Sequence, residues 1–186
     1  MAAARIESLQ LVQAACWQQL QHAAAQREHA WHVMTLATVA SAEAGGVDAR
    51  SVVLRGADPL QKQLVFYCDS RSPKAQQLRQ HAQAVLVAWS AALSWQLRIR
   101  VSTQVLTDGL DVSSRWARVK MSRASQDYLS TLPPGTPLDR REPERGTREH
   151  FAVVQARVQA IDWLELHDDG HRRAAFDADG ARWLVP

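Results

Sequence analysis

The chain has 186 residues, 46% apolar and 22% charged, with a formal net charge of +3. That balance excludes disorder, collagen and coiled coil, no apolar run approaches the about 20 residues of a membrane span, and +3 is too small a charge to argue for a nucleic-acid surface. Two cysteines, Cys16 and Cys68, supply neither a disulfide framework nor a zinc set, so a metal-free protein of the reducing cytoplasm is expected.

A helix is predicted over residues 3–26. Ile6, Leu9, Val12, Cys16 and Leu20 recur at helical spacing with no Pro or Gly, and the helical region with its His/Gln-rich exit covers residues 1–29. Gln and His interrupt its apolar residues and no basic segment precedes them, so Met1–Gln26 does not read as a signal peptide. A β-rich block follows. His32–Ala40 alternates, Ala44-Gly45-Gly46 marks a turn, and Ala49–Leu54 closes a hairpin. Gly56–Leu60, with Pro59, reads as a turn, and Leu64–Cys68 as a third strand. Ser72-Pro73 opens a short helix that continues through Ala75–His81, Ser as N-cap and Pro as first helical residue. Ala84–Trp89 is a fourth strand and Trp95–Leu106 a fifth.

Leu110–Leu132 reads as one or two helices. The segment 133–147, rich in Pro, Gly and mixed charge, is a long loop, and loops of that length are usually functional or disordered. Strand pattern returns at Ala152–Leu166. Asp168-Asp169-Gly170 is a turn, and His171–Phe176 with Arg182–Val185 forms a last hairpin around Asp179-Gly180. Seven or eight short, mostly antiparallel strands with inserted helices predict a mainly β protein. Residues 1–186 are expected to form one domain, a closed or partly closed β-barrel with peripheral helices.

Four clusters are candidates for chemistry. Arg50-Ser51-Val52-Val53-Leu54-Arg55 is a strand in which Arg50, Val52 and Leu54 face one way and Ser51, Val53 and Arg55 the other. Two arginines flanking an apolar strand can equally be solvated strand ends. Tyr67 to Ala75 runs from a strand into a helix N-terminus with Lys74 in its first turn. A cation there opposes the helix dipole and makes better sense if an anion is held by free N–H groups, Ser72 and Lys74. On the fifth strand Gln96, Arg98 and Arg100 share a face opposite Leu97, Ile99 and Val101. His171-Arg172-Arg173 is either a basic hairpin end or part of a site. The abundance of arginine, with Lys62, Lys74 and Lys120 the only lysines, suits phosphates and carboxylates and is also what a GC-rich genome produces.

The order RSVVLR, then FYC-x-S-x-S-P-K-A, then W-x6-Q-x-R-I, then I-D-W-L-E-L, then H-R-R and a closing W-L-V-P resembles the pyridoxamine 5′-phosphate oxidase family of flavoproteins, from about Trp31 to Pro186. The resemblance implies a split β-barrel homodimer with FMN at the subunit interface. By that resemblance Arg50 opens the FMN-binding strand Arg50–Arg55 and holds the flavin phosphate. Arg55 lies near the ring and substrate. Tyr67-Cys68 matches the Tyr-Thr pair ending the next strand, Ser72 and Lys74 belong to the phosphate-binding stretch, and Gln96 and Arg173 complete the cofactor contacts. His171 is a candidate substrate contact or proton donor and Arg55 the other catalytic candidate.

Departures from the family pattern bear on function. Cys68 replaces a hydroxyl residue and Pro73 an arginine. Leu164 stands where the family has a Trp over the flavin, with Trp163 one residue out of register. Asp169 replaces an arginine where a substrate phosphate should sit, and like charge there is destabilising. Each charge-assisted hydrogen bond contributes roughly 1.5–3 kcal/mol, so Arg50, Lys74 and Arg173 supply about half of the roughly 12 kcal/mol that nanomolar binding requires. The expectation is an FMN-dependent oxidoreductase with a small-molecule substrate other than pyridoxamine phosphate. The alternative is a non-enzymatic flavin- or other cofactor-binding protein or sensor.

Overall fold

The computed structural model describes residues 5–40, 45–139, 141, 143–147 and 149–186. Along them run α1 (Leu9–Ala25), β1 (Val33–Val39), β2 (Val47–Asp58), β3 (Gln63–Asp69), α2 (Pro73–Gln80), β4 (Gln83–Ser90), β5 (Trp95–Leu106) and α3 (Leu110–Lys120). A 3-10 helix (Arg123–Tyr128), β6 (Phe151–Glu165), β7 (Arg172–Asp177) and β8 (Gly180–Leu184) follow. The strands form one antiparallel sheet in the order β3-β2-β1-β4-β5-β6-β7-β8, and β6 also pairs with β3. The first six strands therefore close into a barrel while β7 and β8 extend the sheet beyond it, which leaves no free edge among the six.

A bulge makes the split possible. The first part of β6, Phe151–Arg157, pairs with β3, and its last five residues, Ile161–Glu165, pair with β7. Between these stretches Val101 faces Val158 and Arg100 faces Ala160, so Gln159 is an extra residue. Such an insertion bends and twists its strand, which carries β6 out of the barrel and into the extension.

Alternation fills the interior. Leu36, Leu54, Phe66, Leu86, Leu97 and Ile99 point inward and are buried, each contributing about 1.5–3 kcal/mol by leaving water. Helix α1 adds Val12, Cys16, Trp17, Leu20 and Ala23 to the same core. A smaller cluster lies outside β3 and β6, where α3 and the 3-10 helix lay Val112 and Tyr128 over Val65, Phe151 and Val153. No helix of the described residues is long and apolar enough to cross a membrane.

The start of α1 and the end of β2 depart from the sequence expectation. Helix α1 begins at Leu9 rather than residue 3, because Ser8 caps it, its hydroxyl accepting the Leu11 N–H at 3.5 Å. Ahead of the cap, Arg5 binds Glu165 and the Ile6 carbonyl accepts from Arg172. Strand β2 does not stop at Leu54. It passes through Gly56 to Asp58, and the turn starts at Pro59, closed by the Asp58 carboxylate accepting the N–H groups of Leu60 and Gln61. In the predicted Ala44-Gly45-Gly46 turn, Gly45 and Gly46 have φ of 92° and 77°, which favours glycine, while Ala44 lies outside the described residues. The described part of the loop 133–147 carries neither helix nor strand beyond a bridge from Arg145 to Ser130.

Candidate functional site

The end of β3 and the start of α2 form the first group. The Ser72 hydroxyl accepts the Ala75 N–H at 3.4 Å and donates to the Asp69 carbonyl at 2.7 Å. That caps α2 at Ser72 and starts the helix at Pro73. Lys74 stands in the first turn and has no ion pair among the described residues. Its charge reaches Cys68. Burial pushes that thiol up to about 11, against the pull of Lys74 and a hydrogen bond with Ser72. Cys68 is therefore a protonated thiol at neutral pH, not a thiolate nucleophile.

Arg50 joins this corner from inside the barrel. Its guanidinium donates to the Thr38 hydroxyl, to the Gln77 side-chain oxygen at 2.9 Å and to the Leu36 carbonyl at 3.4 Å, and it pairs with the Asp48 carboxylate. Thr38 donates to the same Gln77 oxygen at 2.6 Å, and the Gln77 amide donates to Asp48 at 3.2 Å. Gln77 sits three residues after Lys74 on α2, so the two share a helix face. Arg50 is thereby tied to the helix that carries Lys74.

Arg55 owes its direction to a second bulge. Leu54 faces Phe66 and Gly56 faces Val65, which leaves Arg55 as the unpaired residue. Its guanidinium carbon lies 5.8 Å from the centre of the Tyr67 ring, within cation–π range. Tyr67 packs edge-on to Phe151 at 4.9 Å, and Tyr128 meets the same ring at 5.1 Å. Burial raises the Tyr128 hydroxyl to about 12 although Arg55 pulls it down. Arg115 pairs with Asp111 at 2.6 Å. Burial works against its charge, but hydrogen bonds to Tyr67 and Asp111 raise its pKa overall.

The third group lies on the outward face of the sheet, where cross-strand partners point the same way. Trp89, Gln96, Leu164 and Arg173 form one such row across β4, β5, β6 and β7. Trp163 points the other way. It is fully buried against Trp95, ring centres 5.3 Å apart, so it offers no ring in place of Leu164. Arg173 is gripped by Asp162 through bonds of 3.0 and 2.6 Å, which raises its pKa. His171 is exposed ahead of β7, its Nδ1 accepting the His167 N–H at 3.1 Å.

The fold thus brings Arg50, Cys68, Ser72 and Lys74 to one corner and Arg55 to Tyr67. It keeps Gln96 and Arg173 apart from that corner, because they face outward while Arg50 faces inward. Val52 and Leu54 fill the core, so only their main chain is available to a ligand, whereas Ser51 and Val53 face outward. Sequence reasoning missed Thr38, Asp48, Gln77, Asp162, Arg115 and Tyr128. Asp48 was within reach of it, since it lies two residues before Arg50 and so shares its strand face. The others meet their partners only through tertiary pairing.

Comparison with known proteins agrees with this geometry. Residues 14–107 match the family described as pyridoxamine 5′-phosphate oxidase, FMN-binding domain. A pyridoxine/pyridoxamine 5′-phosphate oxidase of Caulobacter vibrioides is 26% identical over 162 residues, covering 80% of this chain and 72% of the relative. Among solved structures, a pyridoxamine 5′-phosphate oxidase-related, FMN-binding protein of Nostoc punctiforme superposes with a TM-score of 0.68 at 20% identity, over 98% of this chain and all of that one. PhzG of Burkholderia lata, solved with tetrahydrophenazine-1-carboxylic acid, gives 0.70 at 17% identity over 95% and 92% of the two chains. The barrel is the split barrel shared by these proteins, and with more than half its length matched, the chain belongs to the pyridoxamine 5′-phosphate oxidase FMN-binding domain family.

Proposed function

We propose that the chain is an FMN-dependent oxidoreductase that holds its flavin between two copies of itself and acts on a substrate other than pyridoxamine phosphate. The observation that carries this reading is the α2 corner. An ammonium with no ion pair among the described residues (Lys74) and a guanidinium (Arg50) stand beside the N–H groups of a helix start, a donor set whose chemistry fits a phosphate monoester. Lys74 and Arg50 would hold the phosphate, and Arg55, aimed by its bulge, would face the polar edge of the ring. FMN supplies the hydride chemistry, and the chain supplies binding, orientation and electrostatics.

Two further observations support a second copy. Val33, Val39, Val47 and Trp89 are exposed along the outward sheet face, and an open cleft there is lined by Ala37, Val39, Val47, Val85 and Arg100. Contiguous exposed apolar surface of this kind marks an interface. Gln96 and Arg173 lie on the same face, from which they would reach a partner's site. The acid Asp169 argues against a phosphorylated substrate at the β6–β7 turn, and the exposed His171 is the candidate proton donor.

The test is FMN titration of the purified protein with gel filtration of the product. A flavin spectrum retained at dimer size is expected, and Lys74→Ala should weaken FMN about tenfold or more, the loss of one charge-assisted hydrogen bond. A protein that stays colourless in excess FMN would overturn the reading. Binding without turnover is the second reading, favoured because Arg50 and Arg173 already hold carboxylates within the chain. Oxidation of reduced FMN no faster than for the free flavin would select it.

A further inference from the structure

Resting on the proposed flavin reading, we infer that Asp48 sets the affinity of this chain for a phosphate-bearing flavin: its carboxylate occupies the side of Arg50 that the phosphate would take.

The partners of Arg50 divide by charge. Thr38, Gln77 and the Leu36 carbonyl are neutral acceptors, and among the described residues Asp48 is its one anionic partner. They also divide by exposure. The Arg50 side chain is 18% exposed and that of Asp48 44%, so the arginine is half-buried and the acid is the partner more open to solvent. Gln77 fastens the acid in place, its amide donating to Asp48 while its carbonyl oxygen accepts from Arg50.

A phosphate monoester carries about −1.5 to −2 near pH 7. To reach Arg50 it must displace the carboxylate or bind beside it, and like charges at that separation oppose binding. The ring and ribityl chain carry no such charge, so Asp48 discriminates by the phosphate alone. The hydrogen bond from Gln77, then the charge of Arg50, hold the Asp48 carboxyl below the usual range, so the opposition persists throughout the neutral pH range. Arg50 keeps its three neutral acceptors if the acid is removed, so the guanidinium stays in place in a variant.

The experiment compares FMN with riboflavin, which lacks the phosphate, on the full chain. Asp48→Asn keeps an oxygen for the Gln77 amide and removes the charge, and Asp48→Ala removes both. FMN affinity is expected to rise about tenfold in Asp48→Asn and to rise also in Asp48→Ala, with riboflavin affinity unchanged in both. Equal or weaker FMN binding by Asp48→Asn, or an equal gain for riboflavin, would overturn the inference and leave the flavin reading standing. If neither the wild type nor the variants bind either flavin, the flavin reading fails and takes the inference with it.

Discussion

Two arginine–carboxylate clusters in this protein use the same chemical groups and differ in how deeply the acid is buried. At the β6–β7 end the acid is inside. Glu165 accepts from Arg5 at 2.6 and 2.9 Å, from Arg172 at 2.8 and 3.1 Å and from the Trp95 indole at 3.3 Å. Arg172 is flanked by the rings of Trp163 and Trp183, each 5.8 Å away, and also holds the Ile6 carbonyl. At the α2 corner the arginine is covered to the same degree as Arg172, but the Asp48 carboxylate is 44% exposed against 9% for Glu165. A buried acid under two arginines is a clamp that fixes the segment before α1 and strand β7 to β6. An exposed acid on a half-buried arginine can be exchanged for another anion.

The contrast breaks if Glu165 proves dispensable. Glu165→Gln leaves two guanidinium groups with no shared counter-ion, and about 3 kcal/mol should be lost, as when a buried pair is broken. That loss reads out as a lower urea midpoint. The pH dependence has a definite sign. Burial raises the Glu165 carboxyl, but the hydrogen bonds from Arg172 and Arg5 outweigh it and hold the pKa below the ordinary value. Its contribution is therefore complete above the unfolded carboxylate pKa of about 4.3, and disappears as pH falls through the lower folded value. Wild type and Glu165→Gln should converge in stability at acid pH. Parallel curves would mean that the charge of Glu165 is idle.

A third pair sharpens the contrast because it shares one feature with each. Asp69 is buried, as Glu165 is, and Arg71 lies beside the candidate site, as Arg50 does. Arg71 grips Asp69 at 2.8 and 3.1 Å and donates onward to the carbonyls of Ser130, Thr131 and Leu132. Arg71→Ala should destabilise by about 2 kcal/mol, since Asp69 would keep little beyond the Arg71 main-chain N–H. The loop after Leu129 should then be cut faster in limited proteolysis. Unchanged cleavage would show that the loop is held from elsewhere.

How much of this was legible in the sequence depends on the range of the interaction. Period-two alternation placed β5 at its observed bounds and sorted Gln96, Arg98 and Arg100 from Leu97, Ile99 and Val101 correctly, because a strand face is a local property. Ser72-Pro73 located the α2 start for the same reason. Gly56 was misleading. Glycine followed by Pro59 read as a turn, but a bulge let the ladder resume, and that depends on β3 as much as on β2. Family resemblance singles out Arg50, Lys74 and Ser72, which the fold gathers at one corner, yet the engagement of Arg50 by Asp48 and Gln77, and of Arg173 by Asp162, follows from strand register and helix placement. Such partners carry no short-range signal.

The smallest stability effect is expected at Asp48, and it matters because of the opposite expectation for ligand affinity. Ion pairs at this level of exposure contribute little, and Asp48→Asn should shift the unfolding free energy by no more than about 0.5 kcal/mol. Arg50 keeps Thr38, Gln77 and the Leu36 carbonyl, and the side-chain oxygen retained in the variant still accepts from Gln77. Urea midpoints of wild type and variant should therefore coincide while their FMN affinities separate. A loss approaching that of Glu165→Gln would make Asp48 a second clamp. A tighter FMN complex on an unchanged scaffold would instead mark the α2 corner as a place where the chain gives up ligand affinity without gaining stability, which is how a binding determinant differs from a structural one.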